Sequence, residues 1–332
     1  MKYYIIAETR EKHDNLLNTT TIYNDYVSKK SMDDFADACC KLGYDCVFLG
    51  GLDSLYEYSK KNPDLKDVIF INYNYGFPAQ YKRGQTPMLL EMLKANYSGA
   101  DPLTSLVVND KSFSKKIVKG KVNTPKSVLL FYNEEVEEVE LNPLHYPVVV
   151  KPNAEGSSLG VADDSFCVDA TAAIHKAKDL LVNYSSVLVE EYIEGFEVTV
   201  WIIGNKDNYK LIQPLVISTN GKYYFEAKIF TAIDKANHIR NYSLPENIFP
   251  NNLVKEIICN SKIVFEELGM RDYGRIDFRI FNNEIYFIEA NALPIFSKTS
   301  EIGEITRLCN LPYKNICKMM IETVNSRLNV QN

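Results

Sequence analysis

The stretch from Asp272 to Ser300, DYGRIDFRIFNNEIYFIEANALPIFSKTS, restricts the fold more than any other part of the chain. Ile276, Phe278 and Ile280 alternate with Arg275, Asp277 and Arg279, the period of a strand with one buried face. Tyr286, Ile288 and Ala290 alternate with Phe287, Glu289 and Asn291 in a second strand, and Asn282-Asn283 lies between the two. Register decides the chemistry, because a one-residue slip sends every side chain to the other face. An odd-numbered loop centred on Asn283 sets Asp277 opposite Glu289 and Arg275 opposite Asn291; a two-residue turn sets the carboxylates on opposite faces. Two carboxylates and an amide oxygen on one face are hard-oxygen ligands, suited to Mg2+ carrying substrate phosphates. The same face also reads as a solvated surface with ordinary salt bridges.

The second informative stretch is VVVKPNAEGSSLGV, Val148 to Val161. A lysine at the end of a buried strand is costly unless its ammonium meets an anion, so Lys151 calls for a negative partner. Gly156-Ser157-Ser158-Leu159-Gly160 offers backbone N–H groups and hydroxyls at low steric cost, as a phosphate-covering loop does. There is no GKS or GKT and no GxGxxG between strand and helix, and a Gly/Ser run alone also reads as a plain loop.

A chain of 332 residues implies two or three domains. The first, about 1–100, shows an α/β rhythm: a strand Tyr3 to Ala7, a Ser31/Asp34 capping box before a helix, strands Asp45 to Leu49 and Val68 to Asn72, and a helix from Pro87 to Leu93. Strands alternating with helices predict a parallel sheet covered on both faces. Beyond it, the pattern predicts a helix Asn109 to Lys119, a hairpin at Glu194-Gly195, a turn at Asn220-Gly221, a helix stopped by Gly269 and a terminal amphipathic helix from Tyr313. The acidic run EEVEEVE reads as a solvated loop or edge. A net charge of -6 argues against a general nucleic-acid binder. Seven cysteines without a CxxC pair argue against a disulfide scaffold or zinc site and fit a reduced, cytoplasmic setting. The start, MKYYIIAETREKHD, has too short an apolar run for a signal peptide, and no apolar run has membrane-spanning length.

Taken together, VVVKPNAEGSSLGV, VLVEEYIEGFEVTV, FEAK, YGRIDFRI and FIEANALP with Ser300 beyond resemble the ATP-grasp family, and within it the D-alanine:D-alanine ligase branch. The resemblance implies an α/β N-terminal domain (1–100) and two α+β subdomains (101–193 and 194–332) clasping ATP. It assigns Lys111 and Lys151 to the nucleotide phosphates with Ser157, Ser158 and Lys228 around them. Glu190, Glu191, Tyr192 and Ile193 match the adenine linker, and Glu197 the ribose acceptor. Asp277, Glu289 and Asn291 match the ligands of Mg2+, as two ions, with Mn2+ a substitute. Arg275, Ser157 and Lys228 match catalytic positions, and Arg275, Ser300 and Glu301 fall in the substrate subsite. The implied reaction joins a small-molecule acid to an amine through an acylphosphate, with ADP released. The segment Tyr223 to Asn241 matches a loop that closes over the site. Homodimers occur among such relatives.

Departures fall on the substrate side. Ile229 stands where a tyrosine commonly follows the closing-loop lysine, Ile295 where glycine is expected, and Glu301 where an apolar residue follows the serine. The usual HG-containing loop is replaced by NYNYGFPAQYKRGQTP, and Asp25 and Glu8 are weak candidates for the group receiving the first substrate's amine. The reading is therefore a carboxylate-amine ligase making a dipeptide or amino-acid conjugate, with Glu301 favouring a polar or cationic second substrate. The alternatives are attachment of an amino acid to a non-peptidic metabolite and a non-catalytic ATP-binding regulator.

Overall fold

The computed structural model describes residues 1–13, 26–79, 81–132, 141–156, 158–227, 229 and 240–330. Strand and helix alternate at the start: β1 (Lys2–Ile6), α1 (Lys29–Cys40), β2 (Asp45–Gly50), α2 (Leu52–Lys61), β3 (Val68–Asn72), α3 (Lys82–Met92) and β4 (Asn96–Tyr97). All pairings are parallel, in the order β2-β1-β3-β4, and every residue of β3 is buried, as an inner strand between two helical layers requires. Helix α1 begins before the expected capping box. Its cap is Ser28, which accepts from Ser31 N at 3.2 Å, while Lys29 and Lys30 pair with Asp33 and Asp34 and so extend the helix through a polar run. Helix α3 likewise starts at Lys82 and runs through Pro87. Buried Lys82 reaches Glu155 at 3.2 Å, a tertiary anchor that overrides the local stop signal.

The expected helix Asn109 to Lys119 is two helices, α4 (Pro102–Asn109) and α5 (Lys111–Val118). Asp110 breaks them and caps the second, accepting from Phe113 N at 2.8 Å. Next come β5 (Ser127–Phe131), β6 (Val148–Pro152), β7 (Phe166–Cys167), α6 (Ala170–Leu181) and β8 (Ser186–Glu191), which form the antiparallel sheet β5-β8-β6-β7. The acidic run at 134–140 lies outside the described residues.

A third sheet is built from β9 (Gly195–Asn205), β10 (Asn208–Thr219), β11 (Tyr224–Phe225), β12 (Arg240–Ser243), β13 (Tyr273–Phe281) and β14 (Glu284–Asn291), with helix α7 (Asn251–Glu267) before β13. Its order is β12-β10-β9-β13-β14, with β11 on β9, and α8 (Glu301–Leu308) and α9 (Tyr313–Val330) follow. Two hairpin expectations change here. Strands β8 and β9 belong to different sheets, so Glu194-Gly195 is a crossing between sheets; Gly195 has φ +116°, and a Cβ there would lie 2.0 Å from Ile280 O. Asn220-Gly221 does form a two-residue turn closed by 2.9 Å hydrogen bonds between Thr219 and Lys222, yet the strand after it joins β9 and leaves the edge of β10 to β12. Among the described residues no helix is long and apolar enough to cross a membrane.

The first and third sheets share one core, in which Phe35, Tyr73, Trp201, Tyr273, Phe296 and Met320 pack together. A fully buried carboxylate joins them. Asp272 accepts from Gly99 N at 2.9 Å and from Arg327 Nε and Nη2 at 2.8 and 2.7 Å, and Tyr273 Oη donates to Asn72 O at 2.8 Å. Removing one partner of such a pair strands a buried charge. Arg327→Leu should therefore lower stability by about 3 kcal/mol in urea unfolding, whereas Lys206→Ala, which removes an exposed pair with Glu266, should cost about 0–1 kcal/mol.

Candidate active site

Strands β13 and β14 meet at Asn282-Asn283, both with positive φ (50° and 66°), which is the two-residue turn of the two alternatives the sequence leaves open. Phe281 pairs with Glu284 and Phe278 with Phe287, the register that should part the carboxylates. A β-bulge between Asp277 and Phe278, with Ile288 as the extra residue, then shifts the ladder by one. Beyond it Asp277 pairs with Glu289 and Arg275 with Asn291, the pairing that the sequence ties to an odd-numbered loop and that the bulge supplies here. The face assignment nearer the turn reverses: Ile285 and Phe287 are buried in the core, and Tyr286 is not.

Arg275 donates from Nε and Nη2 to the two oxygens of Asp277 at 3.1 and 2.9 Å, and from Nη1 to Glu301 at 3.4 Å. Burial opposes its charge, but Asp277 and Glu301 hold the guanidinium well above its ordinary value. Burial raises the Asp277 carboxyl; Arg275 pulls it back, and Glu289 pushes it up again. Thr199 Oγ1 donates to Asp277 Oδ1 at 2.6 Å. Asn291 Oδ1 accepts from Leu293 N at 3.0 Å.

The start of α5 grips the chain leaving β6. Lys111 N donates to Asn153 O at 3.2 Å, Ser112 N to Asn153 Oδ1 at 3.0 Å, and Lys111 Nζ to Glu155 O. Lys111 Nζ also lies 3.7 Å from Glu289. Burial lowers the pKa of Lys111 despite Glu289. Lys151 finds the anion it requires in Glu190, at 2.8 Å, and the other oxygen of Glu190 pairs with Lys115 at 2.9 Å. Burial draws Lys115 down to about 8 against the pull of Glu190. Glu190 itself is held low by Lys115 and Lys151 in spite of its burial.

Around the strand crossing, Glu191 turns outward and accepts from His145 N at 2.8 Å, while Tyr192 Oη donates to Phe225 O at 3.1 Å. Ile193 is half-buried, and Glu197 lies between Arg279 at 3.2 Å and Arg240 at 3.4 Å. Ser300 caps α8, and its Oγ lies 2.8 Å from both Ile295 O and Ser297 O. Lys111, Arg275, Glu289, Asn291, Ser300 and Glu301 line one cavity of about 500 Å³. Lys151, Ser158, Glu190, Glu191, Tyr192, Ile193, Glu197 and Asp277 are not on its wall. Ser157, Lys228, Asp25 and most of the expected closing loop lie outside the described residues. Glu8 is buried beside Lys12 at 2.9 Å and His13 at 3.0 Å and is not on the cavity wall.

Sequence reasoning missed Lys115 and Thr199, and also Arg83, which lies over the Tyr75 ring at 3.4 Å on the cavity wall. Only Lys115 carried a signal, sitting one helical turn after Lys111. Ile295, at a position where glycine is expected, lines the cavity as well.

The fold matches that of a crystal structure of D-alanine–D-alanine ligase from Bacillus anthracis complexed with ATP, with TM-score 0.73, 22% identity and 99% of each chain covered. Such a fold defines the ATP-grasp class. The family model described as D-ala D-ala ligase C-terminus matches residues 125–322. D-alanine–D-alanine ligase of Thermotoga sp. (strain RQ2) is 29% identical over 90% of this chain and 92% of its own. That of Pelagibacter ubique (strain HTCC1062) is 32% identical over 68% of this chain and 70% of its own. The chain belongs to the D-alanine–D-alanine ligase family and is an ATP-dependent, ADP-forming ligase that makes a C–N bond between a carboxylate and an amine. The regulatory and non-peptidic alternatives are not favoured.

Thr199→Val keeps the volume of the side chain and removes a donor from a buried carboxylate. It should lower stability by about 1–3 kcal/mol in denaturant unfolding.

Proposed function

We propose that the chain joins a small amino acid, D-alanine by analogy with its relatives, to a second amino acid chosen by Glu301, with Mg2+ accompanying ATP. One observation carries this reading: Lys111, Glu289, Asn291, Arg275, Ser300 and Glu301 share a single cavity. No group of three His, Cys, Asp or Glu residues able to hold a metal occurs among the described residues, so Asn291 and substrate phosphate oxygens must complete the set. The opposed Asp277 and Glu289 fit such a cation: burial first and then Glu289 raise the Asp277 carboxyl against the pull of Arg275, and a cation between the two carboxylates would offset that cost. Mg2+ held by Asp277, Glu289 and Asn291 would neutralise charge on the phosphate oxygens.

Lys111 and Lys151 hold the phosphates, and the site needs no protein nucleophile because positioning and positive charge dominate phosphoryl transfer. The first substrate's carboxylate oxygen bonds to the γ-phosphorus as the bond to ADP breaks. The second substrate's amine nitrogen then bonds to the acyl carbon, phosphate leaves with the C–O electron pair, and the amine proton passes to phosphate or water. Arg275 faces the oxyanion that forms at that carbon. Ser300 and the first N–H groups of α8 lie where a carboxylate of the second substrate is favoured by the helix end.

Glu301 sits in the first turn of α8, bonded to Arg275 at 3.4 Å and to Tyr242 Oη at 3.5 Å. It places negative charge beside the second substrate and so favours a cationic or strongly polar side chain there. ADP release with pooled acids and amines, followed by mass spectrometry of the product, tests the whole reading; no turnover on a broad amino-acid panel including D-alanine would sink it. Arg275→Met should lower kcat by about 10²-fold or more with a smaller change in KM. Glu301→Leu should shift kcat/KM toward apolar second substrates by about tenfold; an unchanged substrate ranking would remove Glu301 from the argument.

A further inference from the structure

Lys115 stands outside the site as proposed, yet it touches both halves of it. Its side chain is 4% exposed, and its ammonium meets three acceptors: Phe287 O at 3.3 Å, Ile288 O at 2.5 Å and Glu190 Oε2 at 2.9 Å. Two of these contacts are hydrogen bonds to backbone carbonyls and the third is an ion pair with the carboxylate, so the ammonium is engaged by protein on every side the three acceptors occupy.

The three acceptors come from two different sheets. Phe287 and Ile288 belong to β14, immediately before Glu289, and Ile288 is the extra residue of the bulge. In a regular strand successive carbonyls point to opposite edges, and here one ammonium binds two successive carbonyls from one side. Phe287 N donates outward to Asn123 O at 2.8 Å, which marks that side as the open edge of the sheet. Buried there without a donor, the carbonyls would carry a desolvation cost, and Lys115 removes it. The third acceptor, Glu190, lies on β8 and holds Lys151 of β6 through its other oxygen at 2.8 Å.

We propose that Lys115 is a positioning residue that fixes the distance between the metal-side carboxylate Glu289 and the phosphate-side Lys151 without touching the nucleotide. It does so by clamping the bulge that aims Glu289 and by fixing the carboxylate that aims Lys151. The proposal rests on the reading of Glu289 as a metal ligand and Lys151 as a phosphate ligand.

ADP binding, measured by calorimetry on the full chain with and without Mg2+, tests it. Wild-type protein should bind ADP more tightly when Mg2+ is present. Lys115→Met should cut that metal-dependent gain by about tenfold or more, the scale of outer-shell changes at metal sites, and weaken metal-free ADP binding as Lys151 loosens. Lys115→Arg keeps the charge and several donors, so it should retain more of the gain, and Lys115→Gln, which removes the charge but keeps a donor, carries the measurement if the methionine variant fails to fold. Lys121→Met, which removes an exposed pair with Glu267, should leave both affinities unchanged. If Lys115→Met, or Lys115→Gln in its place, melts earlier but binds ADP as wild type does under both conditions, Lys115 is structural only and the proposal falls. If wild type shows no metal-dependent gain, the metal reading falls, and the proposal with it.

Discussion

The one-residue bulge in β14 is the constraint on which the site depends. A two-residue Asn-Asn turn, left to a regular ladder, would put Asp277 and Glu289 on opposite faces of the sheet. The bulge at Ile288 restores them to one face, and it can sit on an edge strand because the disturbed carbonyls find a lysine there. Local turn chemistry and global site geometry therefore make opposing demands, and one inserted residue reconciles them. Bulges commonly sit where a side chain must be re-aimed, and this one aims a carboxylate.

Around the bulge, α5 acts as the junction of the molecule. Its first turn grips the loop after β6 through Lys111 and Ser112, and its next turn reaches β14 and β8 through Lys115. A helix of two turns thus fixes two sheets against each other by polar contacts, where a larger core would do so by packing. The first and third sheets are joined differently, through the aromatic core around Phe296 and the buried pair of Asp272 and Arg327.

Much of this was legible in the residues. The strands of the opening hairpin, the parallel first sheet and the requirement of Lys151 for an anion follow from alternation and from the cost of buried charge, whereas the pairing of Asp277 with Glu289 is one of two alternatives and is tied to an odd-numbered loop that does not form. The bulge was not legible, because Ile285, Tyr286, Phe287 and Ile288 are all apolar or aromatic and fit either phase of a period-2 pattern. Thr199 reads as one more residue of the apolar strand VTVWII, and its role depends on a partner 78 positions away. Glu194-Gly195 has the local form of a hairpin turn; only the competition between two sheets for β8 and β9 shows that it is a crossing. Lys115 lay in a lysine-rich helix that looks solvated, and its burial arises only when the helix covers the edge of β14.

Three described cations of the proposed site already have acidic neighbours. Lys111 has Glu289, Lys151 shares Glu190 with Lys115, and Arg275 has Asp277 and Glu301. If these cations hold the phosphates as proposed, an entering triphosphate competes with protein carboxylates for groups that are already engaged. Its affinity is the difference between two sets of ion pairs, so dissolved salt screens both sides of the exchange. Nucleotide binding should accordingly tolerate ionic strength far better than it would on a cluster of bare lysines.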